Sequence, residues 1–120
     1  MAYLDQLLST QFTRGQVIQL TDPNNLDSWA LISSTPNNYI YGVVGNVSPF
    51  ESQFMTRIYT AGETMALSTR SIPDGGGVLG FENGGVFVDP SPTTPRGIIN
   101  LKPLGATSRG AGELVGVSLR

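Results

Sequence analysis

The sequence predicts an all-β protein, and two observations carry this prediction. From Gln16 onward, apolar and polar residues alternate with a period of two, as they do in half-buried strands. Clusters of Pro, Gly and Asn interrupt the alternation about every ten residues, which is the spacing of turns in small β folds. No strand–helix–strand unit is visible in the sequence. We therefore expect a barrel or a sandwich of eight or nine short antiparallel strands.

The first segment of the chain has a different pattern. Four apolar residues at spacings of three and four predict an amphipathic helix, namely Leu4, Leu7, Leu8 and Phe12. Asp5 would lie near the positive end of the dipole of this helix. A helix of about two turns is not stable alone, so the segment must pack on its own domain or on a neighbour. We interpret residues 1–14 as an N-terminal arm, helical or extended, and residues 15–120 as one β-domain.

The strand candidates follow the arm in order, and each ends at turn residues. They lie at 17–20, 28–33, 39–47, 54–60, 64–69, 78–81, 86–88, 97–101 and 113–119. The segments at 78–81 and 86–88 flank an Asn-Gly-Gly run and predict a small hairpin or a wide loop. Gly42 and Gly45 lie inside the 39–47 candidate and predict a bulge, a bend or the close approach of another backbone.

Two parts of the chain resemble each other. Residues 61–70 and 111–120 share Ala, Gly, Glu, Ser and Arg at matching positions. We interpret the match as a repeated corner in which Gly supplies an open backbone conformation, although an ancient duplication is an alternative. The pattern predicts a tight corner at 61–63 and then a strand with Met65 and Leu67 inward. In the last strand, the inward residues are expected to be Val115, Val117 and Leu119.

Composition excludes several function classes. The chain has no His and no Cys, so it lacks an imidazole base, a thiolate nucleophile, a disulfide and the usual zinc ligands. A net charge of -2 argues against nucleic acid as a partner. No apolar run approaches the roughly 20 residues of a membrane span. The first residues lack the basic start of a signal peptide, so we expect synthesis in the cytoplasm.

The motifs that suggest chemistry have simpler interpretations. Residues 75–80 match the glycine spacing of a dinucleotide-binding loop, but the residues after them cannot form the required helix. Residues 22–27 gather carboxylates and amides as a calcium loop does, yet lack its Gly and Glu, which favours an Asx/Pro turn. Asp74 and Glu82 would form an acid–base pair only if the fold brought them together. We therefore expect no enzymatic activity, no cofactor and no metal.

Four short motifs resemble a known family. They occupy residues 13–18, 41–44, 59–63 and 111–119 and contain the patterns G-x-V, G-V-V, A-G-E and V-x-V-x-L. These patterns are similar to those of the small capsid decoration, or cement, proteins of tailed bacteriophages. The resemblance implies a β-barrel or β-tulip domain, often a homotrimer, that binds the outer surface of the shell of major capsid protein. It also implies that the protein resides in the virion.

The arm is the expected partner-binding segment under this interpretation. Its candidate contact residues are Leu4, Leu7, Leu8, Phe12 and Arg14. The alternative for the arm is that it covers the open end of its own barrel. The alternative for the whole chain is a carbohydrate- or receptor-binding module of a phage tail fibre or tail tip. That module would use Trp29, Tyr39 and Tyr41, although a Trp in an alternating strand is more often part of the core.

Overall fold

The structure is a computed structural model, and it describes residues 2–35, 37, 39–72, 79–88 and 110–119. These residues form eight strands and no helix, which confirms the all-β prediction. The strands are β1 (Ala2–Leu8), β2 (Val17–Leu20), β3 (Trp29–Leu31), β4 (Tyr41–Phe50), β5 (Gln53–Leu67), β6 (Leu79–Glu82), β7 (Gly85–Val88) and β8 (Leu114–Leu119). The strand predicted at 97–101 and the glycine loop at 75–77 lie outside the described residues, as does Asp74.

Six of the strands form one antiparallel sheet, and β6 and β7 form a separate hairpin. The strand order of the sheet is β1-β5-β4-β2-β3, with β8 also paired to β5. The first part of β5 pairs with β1 and β4, and its last part pairs with β8. Over the described residues no pairing joins β1 to β3, so the sheet is not closed and the barrel prediction is wrong.

The N-terminal segment is a strand, so the helix prediction is wrong and its extended alternative is confirmed. Strand β1 pairs with β5 in a register that runs from Tyr3 opposite Tyr59 to Leu8 opposite Phe54. Residues four apart share a face in both a helix and a strand, so the spacing of Leu4 and Leu8 suits either structure. The edge of β5 supplies backbone partners along the whole segment, whereas a two-turn helix satisfies few of its own backbone groups.

Apolar side chains fill both faces of the sheet. The first core, which includes the hairpin, consists of Val17, Ile32, Val43, Ala66, Ile72, Leu79, Phe81, Val86, Val115, Val117 and Leu119. The second core consists of Leu8, Phe12, Ile18, Leu20, Trp29, Val44 and Ile58. Successive residues of a strand point to opposite faces, so Val17 enters one core and Ile18 the other. Strand β2 is therefore buried along its whole length.

The two glycines inside β4 lie where β5 approaches most closely. A Cβ atom on Gly42 would lie 2.5 Å from Ile58 Cγ2 and 2.6 Å from the carbonyl oxygen of Tyr59. A Cβ on Gly45 would lie 2.4 Å from the ring of Tyr59. The β4–β5 register shifts between Val44 and Val47. The predicted close approach and local irregularity are therefore confirmed.

Strand β4 runs three residues beyond its predicted end and includes Pro49. Proline lacks a backbone N–H, so a strand tolerates it only where that group would have no ladder partner. Strand β2 pairs with Tyr41, Gly42 and Val43 only, which leaves the far part of β4 with β5 as its strand neighbour among the described residues. The missing N–H of Pro49 is tolerated because this part of β4 has an open edge.

The two similar segments pair with each other, from Gly62 opposite Leu119 to Leu67 opposite Leu114. Gly62 and Gly112 both have positive φ, 92° and 85°, as the predicted open glycine conformation requires. The corner predicted at 61–63 is wrong, because β5 continues through it.

The inward face predicted for the end of β5 is also wrong. Ala66 is fully buried there, while Met65 and Leu67 are half-buried. Tyr59 packs on the first core before Gly62, and Ala66 belongs to the same core after it. The β1–β5 register skips Thr60, next to the left-handed Gly62, and this bulge shifts the alternation of the strand by one residue. The inward face of β8 is confirmed, since its three predicted residues belong to the first core.

The hairpin at 79–88 is confirmed and is bound to the main sheet. Its turn residues Asn83 and Gly84 have φ of 47° and 76°, the positive pair that a two-residue type I′ turn requires. The Gly84 N–H donates to the Ile32 carbonyl at 2.8 Å, and the Val17 N–H donates to the Gly84 carbonyl at 2.8 Å. These hydrogen bonds place the hairpin over the first core.

The segment at 22–28 is a turn closed by its own side chains, as the sequence favours. The Asn24 N–H donates to Asp22 Oδ1 at 2.9 Å, and the Asp27 N–H donates to Asn25 Oδ1 at 3.0 Å. The hydroxyl of Ser9 donates to Asp27 Oδ2 at 2.6 Å. The turn therefore uses its carboxylates for local structure and for a link to the end of β1.

Glu82 links the hairpin to the chain after β5. Arg70 donates to its carboxylate at 2.9 and 2.7 Å, and Thr69 Oγ1 donates at 2.6 Å. The Arg70 hydrogen bonds, assisted by Thr69, hold the pKa of Glu82 below its usual value of 4.5. A carboxyl with a lowered folded pKa contributes stability above its unfolded pKa and loses it as the pH falls through the folded pKa.

We predict that the Glu82→Gln variant is less stable than the parent at neutral pH and that the difference shrinks below about pH 4. Urea unfolding midpoints of both proteins, measured at neutral and acidic pH, check this result. A difference that stays constant across the acidic range would contradict a stabilising role of the ionised carboxylate.

Candidate interaction surface

An exposed apolar face lies on β1 and on the parts of β5 and β4 beside it. Leu7 is opposite Met55 in the β1–β5 ladder, and Met55 is opposite Ser48 in the β4–β5 ladder. Four large side chains on this face are exposed by 51%, 37%, 53% and 37%, namely Tyr3, Leu7, Phe50 and Met55. We call these four residues, together with the Asp5–Arg57 pair on the same face, the outer face. The alternate residues of the same strands turn toward the second core, which leaves the outer face uncovered.

An ion pair lies within the outer face. Arg57 Nε donates to Asp5 Oδ1 at 2.9 Å, and Arg57 Nη2 donates to Asp5 Oδ2 at 3.1 Å. This hydrogen bonding lowers the pKa of Asp5 and raises that of Arg57. The guanidinium lies 4.0 Å from the centre of the Tyr3 ring, which meets the Tyr59 ring edge-on at 6.1 Å. Both charges are neutralised within the face, and its side chains hold one another in place.

The structure divides the five residues predicted to bind a partner. Leu8 and Phe12 belong to the second core, and Leu4 is half-buried against it. Leu7 belongs to the outer face, and Arg14 is exposed beyond β1. The segment therefore covers its own domain with one side and presents the other side to solvent.

Arg14 lines two adjoining hollows, of about 470 and 210 Å³. The larger hollow lies between residues 11–14 and residues 45–48 of β4. The smaller one shares Arg14, Gly45 and Asn46 with it and adds Glu63. Of the described residues around the larger hollow, Arg14 is the one with a charged side chain.

The aromatic residues considered for sugar binding do not form a shared platform. Trp29 is only 7% exposed and belongs to the second core, where its Nε1 has no hydrogen-bond partner among the described residues. Tyr41 is half-buried on the first core, with its ring 5.1 Å from that of Phe81. Tyr39 is exposed. Because Trp29 and Tyr41 pack in different cores, they cannot stack on one ligand together.

Sequence reasoning missed Tyr3, Phe50 and Met55. A period of two applied to the first eight residues would have placed Tyr3, Asp5 and Leu7 on one face, but the three-and-four spacing of the leucines favoured a helix. Phe50 was missed because the predicted strand at 39–47 ends three residues before it.

The described part of the chain contains no helix long and apolar enough to cross a membrane. Within the same residues, no three acidic side chains come together as a possible metal site. The fold and the outer face thus define an all-β protein with an exposed apolar sheet surface. Comparisons of the chain with protein-family models, with curated proteins and with solved structures found no match.

Proposed function

We propose that the chain is a structural virion protein, a decoration protein that binds the outer surface of the major capsid shell and stabilises it. The observation that carries the proposal is the outer face, because exposed apolar side chains grouped on one face mark interaction sites on soluble proteins. The four motifs similar to those of phage decoration proteins support the capsid shell as the partner. Binding is the whole mechanism, and no step of turnover is involved.

The chemistry of the outer face suits docking on another protein. Aromatic residues, Met and Arg are enriched where protein surfaces meet, and Tyr3, Met55 and Arg57 supply all three. Burial of the apolar side chains would contribute about 25 cal/mol per Å² of area removed from water. The charge of Arg57 is already paired with Asp5, so a partner need not supply a counter-charge to cover it.

Many copies would act together on one shell. As a homotrimer, the protein would present three outer faces at once, and the second and third contacts would form at high effective concentration. A partner that binds only the assembled shell raises the stability of that shell by mass action. A mass measurement in solution tests the trimer directly, and a trimeric mass is the expected result.

Co-sedimentation with expanded, DNA-free capsids of the virus that encodes the chain tests the function. We expect the protein to pellet with the capsids and to raise their melting temperature. Leu7→Gln and Phe50→Ser should each weaken binding about tenfold or more, as loss of an interface anchor does. The matched control is Leu26→Ser, since Leu26 is 62% exposed in the 22–28 turn, away from the outer face.

Two results would overturn the proposal. If the unmodified protein does not bind these capsids but is retained on a glycan array, the carbohydrate-binding alternative gains and the decoration function fails. If Leu7→Gln and Phe50→Ser bind as tightly as Leu26→Ser, the outer face is not the docking surface. Circular dichroism of each variant verifies that the β fold is intact.

A further inference from the structure

The larger hollow beside Arg14 has no part in the docking proposed for the outer face. We propose that it binds an extended acidic segment of a protein partner, with a carboxylate paired to Arg14 and the peptide running along the edge of β4. The identity of the partner as a capsid subunit rests on the proposed function above. The chemistry of the hollow itself is independent of that identity.

The charge of Arg14 is the first ground for this proposal. Within the part of the chain that the structure describes, the ion pairs are Arg57–Asp5 and Arg70–Glu82, so Arg14 has no carboxylate in contact. A guanidinium presents N–H donors in a planar fork that matches a carboxylate. The amide of Asn46 and the hydroxyl groups of Thr13 and Ser48 also line the hollow and can donate hydrogen bonds.

The backbone of β4 is the second, independent ground. Strand β2 ends its pairing at Val43, and the described pairs of β4 beyond Val44 are all with β5. Backbone hydrogen bonds from Gly15 and to Gln16 end at Val44. Residues 45–48, which include the register shift of β4, line the hollow and so border open space. An extended peptide complements such an edge with its own N–H and C=O groups, as in strand addition. A free phosphate accepts hydrogen bonds from Arg14 and from backbone N–H groups but offers no N–H for the carbonyl oxygens of the edge, which favours a peptide.

Glu63 gives the proposal a distinctive consequence. It lines the smaller hollow together with Arg14, and the two side chains are more than a salt-bridge distance apart. Its negative charge therefore opposes an incoming carboxylate without occupying Arg14. Removal of that charge should strengthen acidic-peptide binding, whereas removal of the Arg14 charge should weaken it.

An NMR titration with an end-blocked oligoglutamate peptide tests the site on the full chain. We expect shifts at the backbone amides of 45–48 and at the side chains of Arg14 and Asn46. Arg14→Gln should weaken binding about tenfold, which corresponds to about 1.4 kcal/mol. Arg14→Lys should be intermediate because it keeps the charge and loses the fork, and Glu63→Gln should bind more tightly than the unmodified chain. Added salt should weaken all of these affinities.

The outcomes separate this proposal from the proposed function. No shift with oligoglutamate, or binding no tighter than that of inorganic phosphate, would overturn the peptide site. An unmodified protein that binds capsids while Arg14→Gln binds them equally well would overturn the site's role and leave the decoration function standing. Oligoglutamate binding that depends on Arg14, without any capsid binding, would support the site and overturn the decoration function.

Discussion

Replacement of Gly42 by alanine is expected to destabilise the fold by about 3 kcal/mol or more. The new methyl group would lie 2.6 Å from the carbonyl oxygen of Tyr59, and a backbone atom cannot move aside as the end of a flexible side chain can. Strands β4 and β5 would have to separate where they join both cores. Urea unfolding measured by circular dichroism gives the free energy of unfolding.

The matched control for this prediction is Gly110→Ala. Among the described residues, the nearest neighbour of a Cβ atom on Gly110 would be the side chain of Glu113, at 3.6 Å. We expect that change to alter the free energy of unfolding by less than about 0.5 kcal/mol. Equal effects of the two substitutions would mean that β4 and β5 do not approach each other as closely as the structure places them.

Alanine substitutions of the neighbouring residues Leu7 and Leu8 are expected to affect different properties, capsid binding for Leu7 and stability for Leu8. Leu8 is fully buried in the second core, so Leu8→Ala should cost about 3 kcal/mol of stability through lost contacts and a cavity. Leu7 lies on the outer face, so Leu7→Ala should cost less than about 1 kcal/mol but should weaken capsid binding. Unfolding and co-sedimentation of both variants check the contrast.

The role of the N-terminal segment, as a separate binding arm or as part of the fold, can be tested by its deletion. If residues 1–14 were a separate arm, their deletion would abolish capsid binding and leave the β fold intact. The structure leads us to expect loss of the fold instead, because the deletion removes β1 together with Leu8 and Phe12 from the second core. A deletion variant that still shows a cooperative β unfolding transition would contradict this expectation.

The strands were predictable wherever the alternation of apolar residues continued to a clear turn. Strands β2 and β8 and the hairpin turn at Asn83 satisfy that condition, and their predictions agree with the structure. The failures occur where a long-range partner or a local backbone shift overrides the pattern. β1 became a strand because β5, far along the chain, offers an edge. Gly62 has the open conformation that the sequence predicts, but the pattern indicates a corner there and not a one-residue shift within a continuous strand.

The candidate surface was predictable only in part, for a related reason. The sequence identified the apolar residues of the first segment, but it could not divide them between two faces without the correct secondary structure. The outer face also needs Phe50 and Met55, whose position depends on the β4–β5 register rather than on local spacing. Arg14 was identified as a contact residue, but the hollow beside it depends on where β2 stops pairing with β4.

The pairing of β5 has a consequence for the order in which the sheet assembles. The Asp5–Arg57 pair joins residues 52 positions apart, and the other end of β5 pairs with β8, which is equally distant on the far side. During synthesis on the ribosome, β1 therefore emerges long before the strand that it pairs with, and β5 must wait for residues 114–119. Contacts of such long range are made slowly. The second core can therefore close only after β5 has emerged, and the first core only after residues 114–119. Until β5 is made, the apolar residues of β1 stay exposed to chaperones and to aggregation.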